Sequence, residues 1–201
     1  ALWLLPHRAW NIDADSARHP LIRPMAPRYS FAYGSNTDAA DWRAWCARTG
    51  HDPAAVRPIG TGILPDARLA FDFFGKGRGG GVLNFQPRLG GYVEGVVLEV
   101  SEAGWRALDQ KEGVPQAYQR RQRHIILPDG QALEAIAYQV IPERQENFVA
   151  PPPAYLNAVR RGFAAHGLHP RVLEAAAIGA EGCHLLADVF VYGTLMQGGF
   201  W

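Results

Sequence analysis

Residues 94–114 read EGVVLEVSEAGWRALDQKEGV, and this stretch carries the clearest structural signal in the chain. It overlaps YVEGVVLEV (92–100), a run rich in β-branched residues that predicts a buried strand. Ser101 is a favoured residue for capping a helix N-terminus, and the apolar residues after it fall on one helical face. Gly113 is suited to end that helix. The stretch therefore predicts a strand followed directly by a helix over 101–113.

A second strand and helix are predicted nearer the N-terminus. YSFAYGSN (29–36) is a β-prone run stopped by Gly34, and residues 37–49 (TDAADWRAWCART) predict a helix capped by Asn36 or Thr37. Such a turn presents backbone N–H groups at a helix N-terminus, where a carboxylate or a developing oxyanion can bind. Many connections of this kind are purely structural, so the turn alone does not define a site.

The rest of the chain alternates β-prone and helical stretches. Three β-prone stretches come before the central strand, a hairpin with the turn sequence PDG follows the central helix, and two helices follow a run of three prolines. Composition and periodicity by themselves give only an α+β class with short strands. The predicted segments are strands at 56–64, 68–74, 81–86, 117–127 and 132–141 and helices at 154–166 and 170–178.

We predict one main domain, over residues 29–180. Residues 1–28 show no periodicity and contain four prolines, so we interpret them as a poorly ordered leader. The alternative is an apolar arm that packs on the body or on a neighbouring subunit. Residues 181–201 contain VFVYGTL, which repeats the pattern of SFAYGSN, and we interpret them as a strand segment that begins a second copy of the fold. Chance reuse of a β-turn sequence is the alternative there.

Composition narrows the classes of function. The formal net charge is +1, and no basic block with interleaved aromatic residues occurs, which argues against a nucleic-acid partner. Cys46 and Cys183 form no CxxC pair, and the histidines do not have metal-binding spacing, so we expect neither a metal nor a cofactor. No apolar run has the length of a membrane span, and the apolar opening is a poor signal peptide. We therefore expect a cytoplasmic protein without a membrane partner.

GKGRGG (75–80) matches the spacing GxGxxG of dinucleotide-binding loops. A dinucleotide site needs a helix directly after the glycines, and here a β-prone segment follows. We therefore predict a flexible hairpin loop.

Glu112 lies in the last turn of the predicted central helix, directly before Gly113. The negative end of the helix dipole makes a proton easier to keep there, and a carboxyl with a raised pKa can serve as both acid and base. The alternative is a solvated glutamate paired with Lys111 or Arg106. Neither Glu112 nor Tyr33 alone identifies an activity.

FAYGSN (31–36), EGVVLEVSEAGWRALDQKEGV (94–114) and Tyr118 together resemble the γ-glutamylcyclotransferase family of the YGSN type. Residues 30 to about 179 follow that family in the order and spacing of motifs. The resemblance implies a mixed α+β fold with a small, barrel-like β-sheet and flanking helices. The partial motif at the C-terminus resembles the start of a second AIG2-like copy.

The same resemblance implies site residues. The family's catalytic acid/base glutamate falls on Glu112, and its substrate loop falls on Ser30–Ser35. Tyr138 is a further candidate for the pocket, although an alternating strand tyrosine is more often part of the core. The substrate-binding residues implied in this way are Ser30, Phe31, Ala32, Tyr33, Gly34, Ser35, Asn36, Tyr118 and Tyr155.

The implied reaction is the intramolecular cyclisation of a γ-glutamyl amide, which releases 5-oxoproline and an amine or amino acid. Nucleophile and electrophile belong to one molecule, so ring closure needs positioning but no metal. Two alternatives stay open. The chain could be a non-catalytic metabolite-binding or assembly domain, whose C-terminal strand completes the sheet of a second copy in a homodimer. It could also act on a specialised γ-glutamyl intermediate of a biosynthetic pathway. The sequence does not say which amine leaves.

Overall fold

The computed structural model describes residues 28–185. The predicted leader and the predicted start of a second copy lie outside these residues, apart from Arg28 and residues 181–185, so both stay predictions. No helix among the described residues is long and apolar enough to cross a membrane.

Strands and helices alternate along the described chain, which confirms the mixed α+β class. The strands are β1 (Tyr29–Ala32), β2 (Val56–Gly75), β3 (Gly80–Val100), β4 (Tyr118–Ile126), β5 (Ala132–Val140) and β6 (His184–Leu185). The helices are α1 (Ala39–Thr49), α2 (Glu102–Glu112), α3 (Pro153–Ala165) and α4 (Pro170–Ala177). Single 3-10 turns occur at Ser35–Thr37, Pro53–Ala55 and Pro142–Arg144.

The first five strands form a closed barrel, as the resemblance implied. The sheet runs β1-β5-β4-β2-β3, and β3 pairs with β1 again. β1 is antiparallel to β3 and parallel to β5. The strands bury a continuous apolar core that includes Phe31, Leu64, Phe71, Ile125 and Val140. Because closure leaves no free edge between β1 and β3, the residues that follow β1 are held at one end of the barrel.

The long hairpin of β2 and β3 differs from the prediction. The segments predicted as separate strands belong to these two long ones, because pairing continues across residues typical of turns. Asp66 has a positive φ of 52°, and the register shifts between Pro65 and Ala67. The Asp66 carboxylate accepts a hydrogen bond from the Gly90 N–H at 2.9 Å, which ties this bulge to the opposite strand. These residues therefore make an irregularity within the hairpin and do not end its strands.

The N-cap of α1 also differs from the prediction. The cap is Asp38, whose carboxylate accepts a hydrogen bond from the Ala40 N–H at 3.0 Å. The predicted caps, Asn36 and Thr37, instead lie in a 3-10 turn, where the backbone N–H and the hydroxyl of Thr37 both donate to the Gly34 carbonyl. The side chain of Asn36 therefore has a role other than capping.

Helix α3 packs closely against this 3-10 turn at Gly162. A Cβ at this position would lie 2.1 Å from the Thr37 hydroxyl oxygen and 2.8 Å from the backbone nitrogen of Asp38. We expect Gly162→Ala to lower the free energy of unfolding by about 1–3 kcal/mol, because the backbone must separate to admit the methyl group. Urea denaturation measures the change.

The matched control is Gly77→Ala, because a Cβ at Gly77 would meet nothing within 4 Å. We expect the control to change the free energy of unfolding by less than about 0.5 kcal/mol. Alanine is the better helix former, so an increase in stability for Gly162→Ala would contradict the close packing of α3 on the turn.

Candidate active site

A cavity of about 700 Å³ opens between β1, the 3-10 turn after it, the β2–β3 turn and the end of α2. Every residue that the resemblance marked lines this cavity, although these residues are spread over more than a hundred positions of the chain. Their roles stay predictions. The marked residues are Ser30, Phe31, Ala32, Tyr33, Gly34, Ser35, Asn36, Glu112, Tyr118, Tyr138 and Tyr155.

Glu112 is placed by the end of α2 so that its carboxyl lies in the cavity. The two cations considered as its surface partners are engaged elsewhere: Arg106 pairs with Glu102, and Lys111 pairs with Asp41. Glu112 itself forms no ion pair with another residue of 28–185. The alternative of a solvated helix-end ion pair is therefore wrong.

The Glu112 carboxyl is held by Asn36, whose Nδ2 donates a hydrogen bond to Oε1 at 2.7 Å. Burial by the surrounding protein raises the pKa of Glu112, while the charge of Lys111 and the hydrogen bond from Asn36 oppose that shift. A carboxyl with a raised pKa accepts and returns a proton more readily near neutral pH.

Three tyrosines around Glu112 have hydroxyls fixed by the backbone. The Tyr33 hydroxyl donates to the carbonyl of Tyr138, and the Tyr118 hydroxyl donates to the carbonyl of Leu83 at 2.7 Å. The Tyr155 hydroxyl accepts from the Leu83 N–H at 3.2 Å, and its own proton has no acceptor among the described residues. Burial raises the pKa of Tyr33 and Tyr118 well above the usual range and that of Tyr155 to about 12. All three are therefore neutral near pH 7.

Tyr138 lines the cavity, but its hydroxyl is directed to another group. It donates to the Asp109 carboxylate at 2.8 Å, and Arg120 forms two hydrogen bonds with the same carboxylate, each of 2.8 Å. Burial, followed by the contact with Asp109, raises the pKa of Tyr138. The position of its hydroxyl favours a structural role.

Arg78 is a cavity residue that the sequence did not indicate. It belongs to the β2–β3 turn, and its guanidinium donates two hydrogen bonds of 2.7 Å to the Asp41 carboxylate. The same group donates to the Ser35 hydroxyl at 3.2 Å and lies 5.2 Å from the ring centroid of Tyr155. Arg78 thus places a fixed positive charge beside Ser35 and Tyr155.

Lys111 is the second cation of the cavity wall, and its pairing with Asp41, which it shares with Arg78, was not predicted. Its ammonium donates to the Asp41 carboxylate at 2.9 Å, and only 6% of its side chain is exposed. Burial lowers the pKa of Lys111, and Asp41 opposes this shift. Burial alone would raise the pKa of Asp41. The hydrogen bonds and charges of Arg78 and Lys111 outweigh this effect and hold the pKa of Asp41 well below its usual range. Asp41 is therefore ionised and anchors both cations.

The structure also bears on two other kinds of site that the sequence analysis considered, a dinucleotide site and a metal site. GKGRGG forms a hairpin turn, as predicted, and β3 follows it at Gly80 where a dinucleotide site would need a helix. Within residues 28–185, no cluster of three or more His, Cys, Asp or Glu side chains could hold a metal ion. Cys46 and Cys183 are both free thiols.

The sequence matches the family described as "Gamma-glutamyl cyclotransferase, AIG2-like" over residues 30–155. This span is more than half of the chain, and the protein belongs to that family. A comparison with curated protein sequences found no match.

Solved structures share the fold. One described as "Gamma-glutamyl cyclotransferase" has a TM-score of 0.64 and 18% identity, covering 86% of this chain and 97% of that one. The uncharacterized protein loc79017 from Homo sapiens has a TM-score of 0.63 and 20% identity, covering 85% of this chain and 96% of that one. YkqA from Bacillus subtilis has a TM-score of 0.63 and 23% identity, covering 81% of this chain and 56% of that one. At these identities the likeness shows the fold alone.

Proposed function

We propose that this protein cyclises a γ-glutamyl amide to 5-oxoproline and releases an amine or amino acid, with Glu112 as the general acid/base. The observation that carries this proposal is the desolvated Glu112 carboxyl, held by Asn36 in the cavity that the substrate loop lines. Membership of the family supports the reaction class.

In the first step, the Glu112 carboxylate takes a proton from the α-ammonium of the substrate. The freed amine attacks the γ-carbonyl carbon, a C–N bond forms, and the carbonyl oxygen becomes an oxyanion. The unused proton of Tyr155 and the backbone N–H groups of the turn are the donors proposed for that oxyanion. Arg78 and Ser35 are proposed to hold the α-carboxylate, which favours the folded conformer that ring closure needs.

In the second step, the tetrahedral intermediate collapses. The bond between the γ-carbon and the leaving nitrogen breaks, and protonated Glu112 gives its proton to that nitrogen. The lactam nitrogen still carries one proton too many, and the Glu112 carboxylate passes that proton to the released amine. The products are 5-oxoproline and the ammonium form of the amine, and Glu112 is again ionised. No water, metal or redox partner is consumed.

The proposal is tested by incubating the purified protein with γ-glutamyl amino acids, glutathione and γ-glutamyl amines and measuring 5-oxoproline by chromatography. We expect product from at least one class. Thermal shifts on ligand binding without any product would instead support the non-catalytic, metabolite-binding alternative. Absence of both product and binding would contradict a γ-glutamyl site altogether.

The pH dependence of turnover gives a further prediction, because Glu112 must be ionised to begin the reaction. The charge of Lys111 lowers the pKa of Glu112, so Lys111→Met is expected to raise that pKa. The fall in kcat on the acid side should then begin at a higher pH than in the wild type. Lys111→Arg keeps the charge and is the control. An unchanged or lower midpoint in Lys111→Met, measured from kcat against pH, would contradict the coupling.

A further inference from the structure

Asp72 is a fully buried carboxyl of β2 that does not line the cavity. Its Oδ2 accepts hydrogen bonds from Asn84 Nδ2 at 2.9 Å and from Gln86 Nε2 at 2.6 Å. Its Oδ1 is buried without a hydrogen-bond partner, and no cation of residues 28–185 forms an ion pair with the carboxyl. Burying a carboxyl in this way costs stability, so stability alone does not account for Asp72.

Asp72 is the extra residue of a bulge in β2. Phe71 before it pairs with Leu83, while Phe73 after it pairs with Val82, so the register shifts by one residue. Bulges re-aim neighbouring side chains and are common beside active sites. Phe73, Val82 and Leu83 line the cavity, so the bulge lies directly behind the cavity wall.

The two phenylalanines beside Asp72 each meet one cavity tyrosine edge-on. The ring centroids of Phe71 and Tyr155 are 6.3 Å apart, with an interplanar angle of 88°. Those of Phe73 and Tyr118 are 5.7 Å apart, with an angle of 87°. The backbone at Asp72 therefore sets the position of both rings against which the tyrosines pack.

Asn84 extends the influence of Asp72 across the barrel. Asp72 holds the amide group of Asn84, whose Oδ1 accepts a hydrogen bond from the Val140 N–H at 3.0 Å. This bond ties β3 to β5, two strands that are not neighbours in the sheet. Asp72 thus fixes the β3 backbone at Asn84 relative to two other strands of the barrel.

Leu83, directly before Asn84, anchors the same two tyrosines. Its carbonyl accepts from the Tyr118 hydroxyl at 2.7 Å, and its N–H donates to the Tyr155 hydroxyl at 3.2 Å. A shift of the β3 backbone at this point would therefore move both hydroxyls.

We propose that Asp72 is a positioning residue, which fixes the β3 backbone at Leu83 and thereby holds the two tyrosine hydroxyls that this backbone anchors. It acts through these groups and not on the substrate, because it does not line the cavity. Its effect on turnover rests on the proposed function, in which Tyr155 donates to the oxyanion.

The first test needs no substrate. The protein is labelled with fluorotyrosine for fluorine NMR, and because the chain has only seven tyrosines, Tyr118→Phe and Tyr155→Phe identify the two signals. We expect Asp72→Ala to move both signals, because Asn84 loses its acceptor. Asp72→Asn should leave both in place, since its amide oxygen can accept the same two hydrogen bonds without a charge.

Gln139→Ala is the matched control. Gln139 is also buried and also joins β5 to β3, but it donates to the Phe85 carbonyl, at 3.1 Å. We expect this variant to lose stability without moving the two signals. Unmoved signals in Asp72→Ala, or signals moved as far by Asp72→Asn or Gln139→Ala, overturn the inference. If Asp72→Ala does not fold, Asn84→Ala breaks the same link and is judged by the same outcomes.

Turnover gives the second test. Asp72→Ala should lower kcat by about tenfold to a hundredfold while KM changes much less, because a misplaced oxyanion donor weakens binding of the transition state. In a double-mutant cycle with Tyr155→Phe, the combined fall in kcat should be smaller than the two single falls multiplied, because Asp72 acts through Tyr155. Single falls that multiply fully overturn the inference. Moved signals in Asp72→Ala without product from the wild type support it and contradict the proposed reaction.

Discussion

Replacement of Glu112 by glutamine is expected to lower kcat by about a hundredfold to ten-thousandfold, the contribution typical of a positioned acid/base. Glutamine matches glutamate in shape and can keep a contact with Asn36, but it cannot take the proton of the substrate ammonium. The measurement is the rate of 5-oxoproline formation by each variant at saturating substrate. Glu102→Gln, at an exposed position of the same helix, is the control and should keep wild-type turnover.

The stability of Glu112→Gln shows whether a loss of turnover comes from the missing acid/base or from unfolding of the protein. Burial raises the pKa of Glu112, so at a pH between the unfolded and the folded pKa the folded state holds a proton that the unfolded state has released. The free energy of unfolding therefore decreases as the pH rises from the unfolded pKa of glutamate through the raised pKa of the folded state. Glutamine is never charged, so Glu112→Gln should be at least as stable as the wild type at neutral pH in thermal denaturation. Retained turnover would contradict the role of Glu112.

Asp41→Asn is expected to give the largest loss of stability among these variants. The substitution leaves Lys111 and Arg78 without their shared counter-ion, and breaking a buried ion pair on one side costs roughly 3–5 kcal/mol. Because Arg78 is 27% exposed, we expect a value near the lower end of that range. Arg78 also loses its anchor beside Ser35, so KM for a γ-glutamyl substrate should rise.

The control for Asp41→Asn is Glu102→Gln, which breaks an exposed pair with Arg106 and should cost less than about 1 kcal/mol. The sign of the pH dependence gives a second check. The pKa of Asp41 is lowered in the folded state, so its contribution is present above the unfolded pKa of aspartate and is lost as the pH falls through the folded pKa. The stability difference between wild type and Asp41→Asn should therefore shrink in acid. Equal losses for the two variants at neutral pH would contradict the anchoring role.

Local sequence signals were sufficient for the central strand and helix and for the position of Glu112. Ser101 caps α2 by accepting a hydrogen bond from the Gly104 N–H at 3.1 Å, and Gly113 ends the helix with a positive φ of 66°. Both signals lie within a few residues of the element that they limit. They placed Glu112 at the helix end, and barrel closure then brought Asn36, in the turn after β1, to its carboxyl.

Other features depend on partners that no local pattern contains. Arg78 lies 37 residues from Asp41, and Lys111 lies 70 residues from it, so the shared ion pair exists only in the folded chain. The cap of α1 was misassigned because Asn36, Thr37 and Asp38 are all residues that favour caps. The β2–β3 hairpin was divided because strand pairing continues across residues that usually end strands.

The central claim is intramolecular cyclisation, and the oxygen atoms of the product test it most directly. The wild-type protein is incubated with γ-glutamyl amino acids, glutathione and γ-glutamyl amines in water labelled with heavy oxygen, and the products are identified by mass spectrometry. For at least one substrate, our account predicts unlabelled 5-oxoproline and an equal amount of the released amine, because ring closure uses no water. Labelled glutamate, the product of hydrolysis, or the absence of product from every substrate would contradict it.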